Sequence, residues 1–213
     1  MSPPISPVRD INTQKNISIE IPPASVADDE VFVQELNDII NAEYSWGEAG
    51  IVRDGTMRTT VAEVEGHLRL RHFAVAFLTS STGRRELIGC VYARPMSPTR
   101  GTMSLFAVRS DHHGTGLGRD LLFYGESRCY REFGVKTIQI ELLVPTTWAS
   151  PHKVRLQAWY EKLGYVLVTA GDFGADYPHM VPLLLGPAEY RVFEKHVDGQ
   201  THVGIGDKIG AKL

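Results

Sequence analysis

The stretch Val108-Arg109-Ser110-Asp111-His112-His113-Gly114-Thr115-Gly116-Leu117-Gly118-Arg119 decides the fold of this 213-residue chain. A β-prone apolar run, 103–108, leads into it, and a helical segment up to Phe133 follows it. Its three glycines at alternate positions lack Cβ, so the backbone can turn sharply and approach a ligand closely. A helix that begins at such a turn directs unpaired N–H groups and the positive end of its dipole at that ligand. The stretch therefore predicts an anion site, with phosphate as the expected anion.

Two common phosphate-binding motifs do not match this turn. No Gly-Lys-Ser/Thr ends the glycine run, so it is not a P-loop. The spacing of Gly114, Gly116 and Gly118 differs from the dinucleotide fingerprint, and no clean βαβ unit surrounds it. The segment 113–118 instead resembles the acetyl-CoA-binding motif R/Q-x-x-G-x-G/A of the GNAT superfamily of N-acetyltransferases, with His113 in place of Arg or Gln. A glycine-rich turn without a ligand is the alternative explanation of this turn taken alone.

A second segment strengthens the resemblance. Ser150 and Pro151 predict the start of a helix, and Gly164 predicts its end. The string Trp159-Tyr160-Glu161-Lys162-Leu163-Gly164-Tyr165 resembles the family's later motif, aromatic-Tyr-Glu-Lys-Leu-Gly-aromatic. Both motifs occur in the family's order, separated by a predicted strand over 137–144, and together they cover about the middle third of the chain.

Hydrophobic periodicity places the remaining elements. We expect a strand over 17–21, helices over 28–44 and from Thr59 or Thr60 to Leu70, and antiparallel strands over 73–78, 87–93 and 103–108. This order agrees with the GNAT fold that the resemblance implies: α+β, with a central mixed, mostly antiparallel sheet of six to seven strands flanked by about four helices. The predicted organisation is a flexible N-terminal arm over 1–15, a single GNAT acetyltransferase domain over 16–198 and a C-terminal tail over 199–213.

The resemblance also implies roles for residues of the two motifs. A backbone N–H at Val108 would polarise the thioester carbonyl of acetyl-CoA, and the N–H groups of the turn would bind its pyrophosphate. The predicted acetyl-CoA-binding residues are Val108, His113, Gly114, Thr115, Gly116, Leu117, Gly118 and Arg119. Tyr160 matches the family tyrosine that acts as general acid on the leaving thiolate, and a phenol suits that task because phenol and thiol pKa values are close. A core aromatic residue on an amphipathic helix is the alternative for Tyr160.

The sequence leaves the general base open. Family members often carry a Glu on the fourth strand, where this chain has Thr102. Glu141 on the fifth strand, His112 at the turn and His179 near the C-terminal segment are candidates, as is a relay through water. No metal is expected.

Aromatic and acidic residues in two loops are candidates for binding the acceptor. Trp46 and Glu48 follow the first long helix and offer an aromatic face and a carboxylate to an ammonium group. Trp148 lies in the long connection between the fifth strand and the next helix, and the turn-rich segment 172–177 lies near the same end. A helix end with a packed tryptophan explains Trp46 at least as well.

Composition and charge exclude several other classes of protein. A hydrophobic fraction of 43% with 22% charged residues is ordinary for a soluble globular domain. The net charge of -3 and the absence of a dense basic block argue against a nucleic-acid partner. No apolar run approaches the length of a membrane span, so no membrane association is expected. Cys90 and Cys129 are predicted to be buried and unpaired, which indicates a reducing compartment.

Two further features bear on location and assembly. No secretory signal is recognised, so a cytoplasmic location is expected. The last three residues, Ala211-Lys212-Leu213, resemble the peroxisomal address Ser-Lys-Leu, which makes a peroxisomal location the alternative. The sequence leaves the oligomeric state open, with a homodimer as one outcome.

The sequence thus predicts an acetyl-CoA-dependent N-acetyltransferase that modifies a primary amine of a small molecule, such as an amino acid, a polyamine or an amine-bearing xenobiotic. Two alternatives stay open: a protein or peptide N-acetyltransferase, and a CoA-binding regulatory domain without turnover. His113 and Thr102 keep the regulatory alternative open, and Tyr160 argues against it.

Overall fold

Seven strands form one mixed sheet in the computed structural model, which describes residues 16–171 and 173–198. The strands are β1 (Ile17–Glu20), β2 (Phe73–Thr79), β3 (Arg85–Pro95), β4 (Arg100–Val108), β5 (Thr137–Pro145), β6 (Val166–Gly171) and β7 (Ala188–His196). Their order across the sheet is β1-β2-β3-β4-β5-β7-β6. Every neighbouring pair is antiparallel except β4 and β5, which run parallel.

Five helices connect these strands within the described residues: α1 (Glu30–Gly47), α2 (Val61–Arg69), α3 (Leu117–Phe133), α4 (Pro151–Lys162) and the short α5 (Phe173–Asp176). Side-chain caps determine where three of them begin. Asp29 accepts the Phe32 N–H at α1, and Ser150 accepts the Lys153 N–H at α4. Thr60 rather than Thr59 caps α2, because Thr60 forms a reciprocal capping box with Glu63.

The predicted α+β class and the predicted order of elements are confirmed. The sequence did not place β7, which inserts between β5 and β6, and it read the segment that holds α5 only as a turn. The predicted arm over 1–15 and the tail with Ala211-Lys212-Leu213 lie outside the described residues. Within the described part of the chain, no helix combines the length and apolar character needed to cross a membrane.

Different helices cover the two faces of the sheet. Successive side chains of β2 belong in turn to the one core cluster and to the other. Ala74 and Ala76 belong to the core cluster beneath α3, which includes Leu121 and Leu122. Phe73, Val75 and Phe77 belong to the cluster beneath α1 and α2, which includes Leu36, Ile40, Val64 and Leu68. Because successive side chains of a strand point to opposite faces, this strand is apolar on both sides. The central strands are therefore buried between two helical layers.

The parallel pair β4 and β5 separates along its length. Their register covers only Arg100–Thr102 against Thr137–Gln139, although β4 continues to Val108 and β5 to Pro145. A bulge lies in β4 just beyond the paired residues, where three steps of β4 oppose two of β3. Leu105 takes a φ of 42° there, and its carbonyl accepts the Cys90 thiol at 3.4 Å. The two strands therefore open a cleft in the middle of the sheet.

We expect Gly89→Ala and Gly66→Ala to change stability in opposite directions. A Cβ on Gly89 would lie 2.8 Å from the Ala107 carbonyl oxygen and 3.1 Å from Leu121, so this variant should lose roughly 1–3 kcal/mol of unfolding free energy. Gly66 lies inside α2 with open space around it, and alanine there should add about 0.5–1 kcal/mol. Urea unfolding followed by circular dichroism measures both, and equal signs would contradict the packing described for β3.

Candidate active site

A cavity of about 510 Å³ occupies the cleft between the separated ends of β4 and β5. Its wall combines the start of α3, one side of α4, the end of α1 and the two strands. The volume falls within the range of small-molecule sites. Of the predicted acetyl-CoA-binding residues, those that line it are Val108, His113, Gly114, Gly116, Gly118 and Arg119.

The glycine turn forms one end of this cavity. Gly114 and Gly116 have φ values of 74° and 98°, a conformation that side chains other than glycine rarely tolerate. Gly116 is the N-cap of α3 and has no side chain to cover the first N–H groups of the helix. Those groups and the positive end of the dipole of α3 are the features that bind anions.

The other two residues predicted from the turn do not line the cavity. The Leu117 side chain is buried in the core beneath α3. The Thr115 hydroxyl donates to the His112 carbonyl at 2.8 Å, so this side chain holds the shape of the turn. The backbone N–H groups of both positions form only long hydrogen bonds of 3.4 Å, from Thr115 to the His112 carbonyl and from Leu117 to the Thr115 hydroxyl, so they remain candidates for binding a phosphate.

His113 ties the turn to the end of β4. Its Nε2 lies 2.7 Å from the Val108 carbonyl oxygen and 2.9 Å from a carboxylate oxygen of Glu43 on α1. Since both partners are acceptors, Nε2 carries a hydrogen and donates to them. Burial raises the pKa of Glu43, and the neighbouring His113 opposes that rise. The histidine therefore acts as a clamp between α1, the turn and β4.

The Val108 backbone N–H points away from β3. The next residue, Arg109, donates its N–H to the Ile88 carbonyl at 3.0 Å, so Arg109 directs its N–H toward β3. Because successive N–H groups along a strand point in opposite directions, that of Val108 points toward the cleft. Val108 thus offers a backbone donor at the wall of the cavity.

Tyr160 reaches the cavity from α4, and only 6% of the residue is exposed. Its ring lies between Trp159, at 5.4 Å, and Tyr165 and Phe193, both at 6.1 Å. Burial raises the pKa of the Tyr160 phenol, so the hydroxyl keeps its proton at neutral pH. The residue therefore belongs to the core and to the cavity wall at once.

A carboxylate held by two tyrosines forms part of the cavity wall. Glu141 Oε2 accepts the Tyr177 hydroxyl at 3.2 Å and also the Tyr190 hydroxyl, and the two hydroxyl oxygens are 2.9 Å apart. Oε1 of the same carboxylate accepts the Gln139 amide at 2.6 Å. Burial, followed by the charge of Glu141, raises the pKa of Tyr190.

Three more charged residues line the cavity: Glu48 at the end of α1, Arg58 before α2 and Lys153 at the start of α4. Glu48 and Lys153 are 3.7 Å apart, with side chains only 8% and 6% exposed. Burial lowers the pKa of Lys153, Glu48 raises it and Arg58 lowers it further. The Arg58 guanidinium stacks over the Tyr44 ring, with Cζ 5.0 Å from the ring centre.

The remaining predicted site residues are divided between the cavity and its surroundings. Trp46 lies in the wall but is 55% exposed, with its ring 4.5 Å from that of His152. His112 lines the cavity. Trp148 does not, because the loop after β5 carries its indole against Gly50. His179 also lies outside the wall, with its ring 6.4 Å from Tyr177.

A protein-family model described as an acetyltransferase (GNAT) domain matches residues 58–167, just over half of the chain. The chain belongs to the GNAT acetyltransferase family. The family resemblance and the GNAT fold predicted from the sequence are confirmed. A search of curated protein sequences found no significant match.

Solved structures of GNAT acetyltransferases share the fold. An aminoglycoside 6'-N-acetyltransferase complexed with coenzyme A is 17% identical, with a TM-score of 0.59 over 84% of this chain and 96% of that one. The NatC complex bound to Gag peptide and CoA is 16% identical, with a TM-score of 0.59 over 86% and 99%. Ard1 from Thermoplasma volcanium is 17% identical, with a TM-score of 0.57 over 86% and 99%. At these identities, the likeness shows the fold alone.

Sequence reasoning missed several residues of this GNAT cavity: Glu43, Tyr44, Arg58, His152, Lys153 and Tyr190. One of them carried a signal. Lys153 lies in the first turn of α4, where a cation opposes the helix dipole, so a functional reason for it could have been suspected. Across residues 16–171 and 173–198, no group of three His, Cys, Asp or Glu residues could hold a metal ion.

The pKa of His152 offers a direct test of the cavity. Burial, together with the charges of Lys153 and Arg155, lowers the pKa of His152 to about 4. An NMR titration of the histidine rings, assigned with a His152→Gln variant, should show this midpoint for His152. A midpoint above 6 would contradict the burial described here.

The same shift has a consequence for stability. The unfolded chain takes up a proton at His152 near pH 6.5, whereas the folded chain does so only near pH 4. The free energy of unfolding should therefore fall as pH drops through this window, and the fall should be smaller in His152→Gln. Equal pH dependence of the two proteins in urea unfolding would contradict the prediction.

Proposed function

We propose that this protein transfers the acetyl group of acetyl-CoA directly to a primary amine of a small molecule. The observation that carries the proposal is that one cavity brings together the groups that acetyl transfer needs. The glycine turn, Val108, Tyr160 and a set of charged and aromatic side chains all line it. Such an arrangement suits a long thioester that meets its acceptor inside the cleft.

The glycine turn fits the pyrophosphate of acetyl-CoA. Gly114 and Gly116 have no side chains to cover the backbone N–H groups of the turn. The space that a Cβ of Gly114 would occupy is open for 4 Å around, so a ligand can approach the backbone there. The first N–H groups of α3 provide the donors. The exposed Arg119 side chain beside them is paired with Asp120 at 3.1 Å and would have to exchange this partner to contact a phosphate. The cleft between β4 and β5 then has room for the rest of the molecule.

Two groups of the chain act on the thioester. The Val108 N–H donates to the thioester oxygen as the amine nitrogen forms its new bond to the carbonyl carbon. When the carbon–sulfur bond breaks, Tyr160 gives its proton to the thiolate sulfur. Burial raises the pKa of Tyr160, so the phenol enters the reaction protonated, and the same desolvation disfavours the thiolate that receives its proton.

The proton of the attacking amine moves to Glu141 through Tyr190. The Tyr190 hydroxyl donates to the Glu141 carboxylate, so it can take the amine proton on its oxygen while passing its own proton on. The Tyr177 hydroxyl lies beside both groups and supports the same path. Glu141 is thus the base that we propose among the candidates, and it acts through a tyrosine.

A small-molecule acceptor suits the volume of the cavity, about 510 Å³, much of which the thioester arm would fill. The structural neighbours do not favour either acceptor class, because they include an aminoglycoside acetyltransferase and a complex bound to a peptide. The Tyr160 hydroxyl at the cavity wall argues for turnover rather than for binding of CoA alone.

Replacing Gly116 with alanine should weaken acetyl-CoA binding. An L-residue at a φ of 98° costs about 1–2 kcal/mol, and the free turn can avoid this cost by leaving its binding conformation, so the Kd should rise roughly 5- to 30-fold. Calorimetric titration with acetyl-CoA measures the change. Gly186→Ala is the matched control, since Gly186 has open space around it and lies outside the cavity. An unchanged Kd for Gly116→Ala would exclude the turn as the phosphate site.

Replacing Tyr160 with phenylalanine should lower kcat about 10²- to 10⁴-fold, because the ring stays and only the proton donor is lost. The KM for acetyl-CoA should change little. Release of the CoA thiol in the presence of an amine measures both. Tyr124→Phe, on α3 and outside the cavity wall, serves as the control. Full turnover by Tyr160→Phe would remove the tyrosine from the mechanism.

A further inference from the structure

Two cations that line the cavity, the buried Lys153 and the half-buried Arg58, lie close to one buried carboxylate, Glu48, in a part of the wall that we name the acceptor end. Lys153 is paired with Glu48 at 3.7 Å. Arg58 feels the charge of the same Glu48 but forms no ion pair with it within the described residues. One positive charge in this group is therefore left without a partner of opposite sign.

The Arg58 guanidinium is held in position from behind. It stacks over the Tyr44 ring, and the backbone N–H of Arg58 donates to Asn41 Oδ1 at 2.6 Å. Among residues 16–171 and 173–198, no hydrogen bond from the guanidinium itself to another residue is formed. Its donors thus stay available at the cavity wall, although burial makes an unpaired charge costly.

The carboxylates that the structure describes nearby do not form an ion pair with the Arg58 guanidinium. Glu141 is occupied by Tyr177, Tyr190 and Gln139. Tyr177 and Tyr190 face Arg58 as neutral phenols. A planar guanidinium with free donors matches a carboxylate of the ligand better than any other common group, because two parallel hydrogen bonds can form.

We propose that the acceptor is a small amino carboxylate whose carboxylate binds Arg58, while its amine lies toward Tyr190 and Glu141. This inference rests on the proposed acetyl transfer and narrows its acceptor. The four charged side chains at this end, Arg58, Lys153, Glu48 and Glu141, balance in sign, as the two charges of an amino acid do. Lys153 adds a second positive charge near the bound carboxylate.

The same charges act against other amines that this family could accept. A polyamine or an aminoglycoside has no carboxylate for Arg58, and its additional positive charges would lie near Arg58 and Lys153, where like charges in a partly desolvated site repel. An amide in place of the carboxylate removes the charge that Arg58 would pair with. The acceptor class can therefore be identified by comparing the turnover of an amino acid with that of its own carboxamide, because the two differ only in the group that would bind Arg58.

The test uses the full-length protein with acetyl-CoA and measures CoA thiol release and the acetylated product by mass spectrometry. The acceptors are the standard L-amino acids, the carboxamide of each, spermidine, and short peptides. We expect at least one amino acid to exceed its own carboxamide about tenfold or more in kcat/KM. In Arg58→Met this ratio should fall toward one. Arg53→Met, an exposed position in the same loop and outside the cavity wall, should keep the wild-type ratio.

Each other outcome overturns one of the two proposals. Equal rates for acids and amides, or turnover of spermidine or peptides alone, would overturn the amino carboxylate and leave acetyl transfer standing. Binding of acetyl-CoA without turnover of any amine would overturn the proposed function itself. If Arg58→Met unfolds, the wild-type comparison still decides, and Arg58→Lys, which keeps the charge but loses the planar fork, should give an intermediate ratio.

Discussion

The separation of β4 from β5 is the constraint on which the rest of the structure depends. Parallel strands pair by evenly spaced hydrogen bonds, and here that pairing stops after Thr102 and Gln139. The bulge at Leu105 turns β4 away, while β5 remains paired with β7 along its whole length. Because the backbone groups beyond this point are not used by the sheet, a cleft with polar walls exists inside an otherwise apolar core. The turn, the helix dipole of α3 and the Val108 N–H all face that cleft.

The sequence predicted well those features that depend on local chemistry. The glycine turn, the caps at Ser150 and at Thr59 or Thr60, and the apolar central strands are properties of neighbouring residues, and the structure has them where the pattern indicates. The same holds for Tyr160, whose place on α4 follows from a motif. The role of His113 could not be predicted. This residue departs from the family motif, and the motif gives no indication of its partner, Glu43. Glu43 lies 70 residues away, and no local pattern could connect them.

Most of the acceptor end could not be predicted for the same physical reason. Glu48 was selected as a candidate, but Arg58, Lys153 and Tyr190 come from three separate parts of the chain, and each alone resembles an ordinary surface or core residue. Trp148, selected for its aromatic ring, packs against Gly50 instead. The position of β7 between β5 and β6 brings Tyr190 to Glu141, and a strand order of this kind follows from tertiary pairing rather than from periodicity.

The Cys90 thiol donates a hydrogen bond to the Leu105 carbonyl at the bulge, and its burial there protects it from acylation. A protein that holds a thioester exposes its own cysteines to acyl exchange, which requires a thiolate. Burial raises the pKa of Cys90, and it raises the pKa of Cys129 to about 12. These are the two cysteines of the chain, and both stay protonated and enclosed. When the protein binds acetyl-CoA as proposed, the acetyl group therefore meets no competing sulfur nucleophile from the chain itself.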